Sequence, residues 1–173
     1  LTAVLASTPL LAAIRARYEA GAVIAGTSAG AAVMSDSMLT GSQWRPGVDT
    51  VGYYGDEYPR VARATIELVP GFAFLPGALV DQHFIRRERH NRLLAAVLER
   101  PSMIGVGIDE GTALEVRNGL WWVVGSSAVM IYDARGARVT PAGAPLLGAA
   151  EVRFHLVPDG GRFDPVTGRA ELP

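Results

Sequence analysis

The rhythm of apolar and polar positions changes several times along the chain, and each change predicts an element. Residues 4–20 read as a helix ending at Gly21, with Pro9 at an early helical position and Ser7 or Thr8 as its cap. The short apolar run at 22–25 predicts a buried strand, and residues 29–35 start a helix directly after a small-residue turn. Strand, tight turn and helix in that order signal a parallel α/β sheet. Residues 36–62 are polar and rich in Gly, Tyr and Asp, and read as one long surface excursion.

Apolar periodicity returns at 65–69 and again at 78–81, which predicts two strands, and a helix follows over 86–99, stopped by Pro101. The segment "MIGVGIDEGTALEV" predicts a buried strand, a turn and a further strand. Asn118-Gly119 in "EVRNGLWWVVG" marks a hairpin, and Trp121 and Trp122, pointing opposite ways, are expected to be one core and one exposed. A second hairpin is expected around Arg135-Gly136, a last strand over 150–157, and then a loose tail. Helices and parallel strands come first and antiparallel ribbons follow, so the class is α/β with a mixed sheet.

Composition removes whole classes of function. The 173 residues suit one domain with a real core. A net charge of -1 gives no basic field for nucleic acid, and no apolar stretch reaches the length of a membrane-spanning helix, although 49% of residues are hydrophobic. With no cysteine there is no disulfide, thiol nucleophile or thiolate metal site, and three histidines without paired spacing argue against zinc. None of this fixes the compartment. The chain opens without methionine and without a signal-peptide pattern, so it is expected to lack the first strands of its domain.

The remaining candidate chemistry centres on Ser28. Gly26-Thr27-Ser28-Ala29-Gly30 fits the nucleophile elbow Gly-x-Ser-x-Gly, in which a strand turns sharply into a helix and glycine relieves crowding on either side. The Ala29 amide, at the helix start, would face a developing oxyanion. There is no lysine after the glycines as a phosphate-cradling loop requires. His83 falls just past a predicted strand, where ligands bind in open α/β sheets, and is the candidate base. His90 and His155 read as ordinary helix and strand residues. Asp109 and Glu110 fall at another strand end, and either acid could orient His83. The order Ser, His, acid differs from the α/β-hydrolase order, in which the acid precedes the histidine.

The segments "GTSAGAAVMSD", "LPGALVDQHFIRRERHNRLL" and "GVGIDEGTALEV" closely resemble the cyanophycinases, of the serine peptidase family that also holds dipeptidase E, the aspartyl dipeptidase. The likeness runs from about Leu10 to Val116, with a weaker echo in "HLVPDGGRFD". It implies a flavodoxin-like or class I glutamine-amidotransferase-like, mainly parallel sheet and a triad of Ser28, His83 and Glu110, with Asp109 as the alternative acid. It implies no metal and no cofactor. The implied substrate is cyanophycin, polyaspartate with arginine on each side-chain carboxyl, released as β-aspartyl-arginine. Arg87, Arg89 and Arg92 would then bind carboxylates, with Asp81 and Gln82 lining the same site. Helical periodicity over 86–99 would put Arg86 and Arg87 on the apolar stripe, Arg89 at its margin and Arg92 off it. The excursion carries Trp44, Tyr53, Tyr54, Asp56 and Glu57, and its acids are expected to meet the substrate's arginines. The resemblance also implies earlier strands and a Gly-rich segment that supply a second oxyanion amide. An exposed sheet edge would favour a homodimer. Cleavage of aspartyl dipeptides and an inactive binding module on the same fold are the alternative functions.

Overall fold

The computed structural model describes residues 1–41 and 61–173, so Trp44, Tyr53, Tyr54, Asp56 and Glu57 lie outside the described residues. The first predicted helix is two, α1 (Thr2–Leu5) and α2 (Pro9–Glu19). Pro9 explains the break, because it lacks an N–H and its ring would clash with the carbonyl of residue 5 in a continuous helix. Thr8 caps α2 by accepting a hydrogen bond from Leu11 N–H at 3.2 Å. The predicted strand at 22–25 does not form. A strand is a hydrogen-bonded ladder, and this run pairs with none of the described residues, leaving Val23 90% exposed.

A single turn of helix, α3 (Ala29–Ala32), follows Ser28 and is shorter than the predicted 29–35. Within the segment read as surface excursion, β1 (Ser37–Leu39) pairs antiparallel with β2 (Leu68–Pro70). That β2 stands where a strand at 65–69 was expected, shifted toward Pro70.

The central sheet has the order β10-β7-β4-β3. Strands β3 (Ala78–Gln82) and β4 (Ile104–Ile108) are parallel, joined through helix α4 (His90–Glu99). Helix α4 begins four residues later than predicted, because Glu88, at φ 52°, interrupts the helical path that periodicity alone would start at 86. Leu93, Val97 and Leu98 are buried against the sheet. Two glycines of β4 permit that contact: a Cβ at Gly105 would meet Val97, and one at Gly107 would sit inside the Phe84 ring.

Beyond β4 the pairing is antiparallel, so the expectation of a mainly parallel sheet is not met. Strand β4 runs into β5 (Thr112–Arg117), β6 (Leu120–Gly125) and β7 (Ala128–Asp133) through turns far too short for a parallel crossover. Asn118 at φ 52° and Gly119 at φ 75° make the predicted β5–β6 hairpin. The second hairpin does not form as expected. Strand β7 has both edges occupied, by β4 and by β10 (Arg153–Pro158), so after the turn at Gly136 the chain forms β8 (Arg138–Val139), paired with β9 (Ala149–Ala150).

The expected loose tail is ordered into β11 (Arg162–Asp164) and β12 (Arg169–Glu171), which extend a second sheet of order β12-β11-β6-β5. Trp121 is core at 3% exposure and tilts against Phe163, while Trp122 is half-buried between the guanidinium groups of Arg117 and Arg162. Asp133, buried, receives Arg135 at 2.9 Å and Arg153 at 2.6 Å, and so ties β10 to the end of β7.

His155 packs on Phe163, and its Nε2 is buried without a hydrogen-bond partner among the described residues. Burial first, then the charge of Arg153, hold its pKa below the ordinary imidazole value. The unfolded chain therefore binds the proton more readily, so this contribution is complete above about pH 6.5 and is lost as pH falls from there toward the lower folded pKa. Denaturant titrations from pH 8 to pH 5 are expected to show declining stability, and His155→Phe is expected to flatten that decline.

Candidate active site

Parallel register brings the site together. Gln82, the last residue of β3, lies beside Ile108, the last of β4, so the residues that follow both strands emerge at the same edge of the sheet. His83 leaves β3 at φ 52° and Glu110 leaves β4 two residues after Ile108. His83 Nδ1 lies 2.9 Å from Glu110 Oε1. Ser28 arrives from the other side, ahead of α3, and its Oγ lies 3.3 Å from His83 Nε2. A neutral imidazole that donates Nδ1–H to the Glu110 carboxylate offers Nε2 as an acceptor to the Ser28 hydroxyl.

The turn at Ser28 has the strain of an elbow. Ser28 sits at φ 53°, ψ −120°, a conformation that L residues rarely adopt and that costs of order 1–3 kcal/mol. The turn is closed by Gly30 N–H to Thr27 C=O at 2.8 Å and by Ala31 N–H to Ser28 C=O at 2.9 Å. A Cβ at Gly26 would collide with the Gly30 carbonyl, which accounts for glycine there. Gly30 differs from expectation, since a Cβ there would meet nothing within 4 Å. The Ala29 N–H donates no hydrogen bond among the described residues and lies next to the Ser28 side chain in sequence. With only one helical turn behind it, α3 adds little dipole to that amide.

The segment after α3 is pinned against the sheet. Phe72 N–H donates to Val33 C=O and Leu75 N–H to Met34 C=O, both at 2.7 Å. The Ser35 hydroxyl, fully buried, accepts Val80 N–H of β3 at 2.9 Å. Nothing in the sequence distinguishes Ser35 from a surface serine, because the bond crosses 45 residues.

Asp109 and Glu110 have different surroundings. Glu110 is half-exposed and faces His83. Asp109 faces away from the imidazole and accepts hydrogen bonds from Ile85 N–H at 3.1 Å, Arg86 N–H at 3.0 Å and Ser127 Oγ–H at 2.8 Å. Burial acts to raise the Asp109 pKa, but these bonds and one from Glu110 N–H hold it below the usual carboxylate range. Ser127 had no signal in the sequence.

The arginines divide by burial. Arg86 and Arg87 are exposed in the turn after His83, and Arg87 N–H donates to His83 C=O at 2.9 Å. Arg89 and Arg92 are buried, 3% and 2% exposed. Arg92 holds Asp81, itself 1% exposed, through Nε at 2.6 Å and Nη2 at 2.5 Å. Arg89 Nη1 reaches the same carboxylate at 3.4 Å and the Gln82 carbonyl at 2.8 Å. The carboxylate these two guanidinium groups bind here is thus one of the chain's own. Gln82 is half-buried, and its Oε1 is buried without a hydrogen-bond partner among the described residues. Among the described residues no group of three or more His, Asp or Glu gathers as a metal site would require.

Among the described residues a hydroxyl, an imidazole and a carboxylate thus lie in line, with the hydroxyl on a strained turn. The chain belongs to peptidase family S51, whose family model matches residues 1–122. It is 36% identical over 171 residues to the cyanophycinase of Trichormus variabilis, an alignment covering 94% of this chain and 52% of that protein. Against the cyanophycinase of Geminocystis herdmanii it is 35% identical over 170 residues, covering 95% and 58%. The cyanophycinase of Synechococcus elongatus is 35% identical over 167 residues, covering 92% and 48%. The chain spans about half the length of the relatives it matches.

Proposed function

We propose that this chain carries the reaction centre of a serine-type peptidase that hydrolyses cyanophycin to β-aspartyl-arginine. Ser28 is the nucleophile, His83 the general base and Glu110 the acid that fixes the His83 tautomer. The observation that carries this reading is the relay itself, Ser28 Oγ to His83 Nε2 at 3.3 Å and His83 Nδ1 to Glu110 Oε1 at 2.9 Å. A first contact of this length shortens when substrate excludes water.

His83 Nε2 takes the hydroxyl proton as Ser28 Oγ attacks the scissile backbone carbonyl of the polyaspartate. The Ala29 N–H stabilises the oxyanion. The protonated imidazole, supported by Glu110, then delivers its proton to the leaving amine. Water reverses the steps and frees Ser28. Arg87, exposed in the turn that His83 begins, is the contact for a substrate carboxylate. Asp81, Arg92 and Arg89 form a buried ion-pair cluster, and Arg89 bonds the Gln82 carbonyl at the start of the turn.

A fluorophosphonate probe is expected to label Ser28, with cyanophycin competing against labelling more strongly than short aspartyl dipeptides. Preferential competition by the dipeptides would favour the dipeptidase activity. Absence of labelling in the folded protein would leave only a binding function.

A further inference from the structure

Asp109 stands next to Glu110 in sequence, yet its carboxylate does no work in the relay. Its Oδ1 accepts two successive amides, Ile85 and Arg86, from the turn that begins at His83. Its Oδ2 accepts the Ser127 hydroxyl from the turn between β6 and β7. Ser127 N–H in turn donates to Thr112 Oγ1 at 3.1 Å, and Thr112 Oγ1–H donates to the Glu110 carbonyl at 3.3 Å. Ser126 N–H closes the same turn on Gly111 C=O at 2.9 Å. The strand end that carries Glu110 and the turn that carries His83 are therefore joined through one side chain.

That join answers a mechanical need. His83 is held at φ 52° and Glu88 at the same angle, so the 83–88 turn carries backbone strain, held partly by its own bonds from Arg87 N–H to His83 C=O at 2.9 Å and from Glu88 N–H to Ile85 C=O at 3.1 Å. Behind His83 the sheet ladder supplies one further bond, Phe84 N–H to Ile108 C=O at 3.2 Å. The next two amides are satisfied by Asp109.

We infer that Asp109, braced by Ser127, is a positioning residue of the peptidase site: it clamps the 85–86 backbone and thereby sets where the His83 imidazole lies between Ser28 and Glu110. The inference rests on the peptidase reading above. Its working property is acceptor geometry at two amides, and an asparagine at 109 keeps an acceptor oxygen for them while removing the charge.

The test compares Asp109→Ala, Asp109→Asn and Ser127→Ala in the protein with cyanophycin as substrate. Asp109→Ala is expected to lower both kcat and the rate of Ser28 labelling by about 10- to 100-fold, with KM nearly unchanged, the scale of a displacement of about 1 Å in a catalytic group. Asp109→Asn is expected to recover most of that loss, and Ser127→Ala to show a smaller loss in the same direction. Hydrogen exchange at the Ile85 and Arg86 amides needs no turnover, and should accelerate in Asp109→Ala and recover in Asp109→Asn. Unchanged exchange in Asp109→Ala would overturn the clamp. Faster exchange with unchanged labelling would overturn the positioning role, and so would an asparagine variant as impaired as the alanine one. Failure of the peptidase reading is distinguishable, because wild-type protein would then show neither labelling nor turnover. The exchange pattern, with the NMR signals of the His83 ring, would still judge the clamp. Should Asp109→Ala fail to fold, the asparagine and Ser127→Ala variants decide the matter by the same readouts.

Discussion

Ser28→Ala is expected to reduce turnover of cyanophycin by about 10^6-fold, the scale on which removing the nucleophile of a serine triad acts. Substrate affinity should persist, since the hydroxyl contributes one contact among many. The measurement is single-turnover cleavage beside equilibrium binding of the same polymer. Retained turnover in Ser28→Ala would overturn the proposed mechanism. A companion variant isolates the strain. Alanine at φ 53° is no more comfortable than serine, but glycine is, so Ser28→Gly should lose activity equally and gain up to about 1 kcal/mol of stability. A gain in stability with loss of function is what an elbow held by its surroundings predicts, and a merely close-packed turn predicts no loss of turnover.

The second large effect belongs to Asp81. Its carboxylate is 1% exposed and meets Arg92 in two hydrogen bonds and Arg89 in a third. Removing one member of a buried ion pair strands the opposite charge away from water, at a cost of about 3–5 kcal/mol. Asp81→Ala is therefore expected to lose that much stability, a large share of the 5–15 kcal/mol typical of a whole domain. For a chain of this size the loss corresponds to a fall in Tm of about 10 °C. Asp81 also precedes Gln82 and His83 at the end of β3, so activity should fall below the melting temperature as well. Thermal denaturation and an activity assay on the same sample separate the two losses. A variant that keeps its Tm but loses affinity for the polymer would instead assign Asp81, Arg89 and Arg92 to direct substrate contact.

The division between these two sites follows from what each is built of. The elbow is local, so its signature is contiguous in the chain: five residues, Gly26 to Gly30, mark the turn, its serine and the amide beside it. The ends of β3 and β4 were legible for the same reason, as apolar runs giving way to polar residues. The hairpin at Asn118-Gly119 was legible because those residues adopt positive φ readily. Periodicity failed where a tertiary constraint overrode it. A helix over 86–99 starts only at His90, because the turn behind His83 is fastened to β4 by Asp109. A strand over 22–25 does not form where no described neighbour pairs with it. The tail proved ordered because Phe163 has a place in the core beside Trp121.

The sequence by itself therefore determined the serine on its strained turn, the histidine and the acid pair at strand ends, the parallel β3–α4–β4 unit and the exclusion of thiol chemistry. Each depends on a residue's own backbone preference, its chemistry or its nearest neighbours. Only the tertiary structure decided that Glu110 faces His83 while Asp109 turns to the 85–86 backbone. Adjacent residues leave a strand end in opposite directions, and which of them meets the imidazole depends on how the neighbouring strand is registered. Only the tertiary structure, likewise, buried Arg89 and Arg92 on Asp81. A run of arginines has the same spelling whether it faces water, a ligand or a carboxylate eleven residues away, and the packing of α4 against the sheet makes the choice.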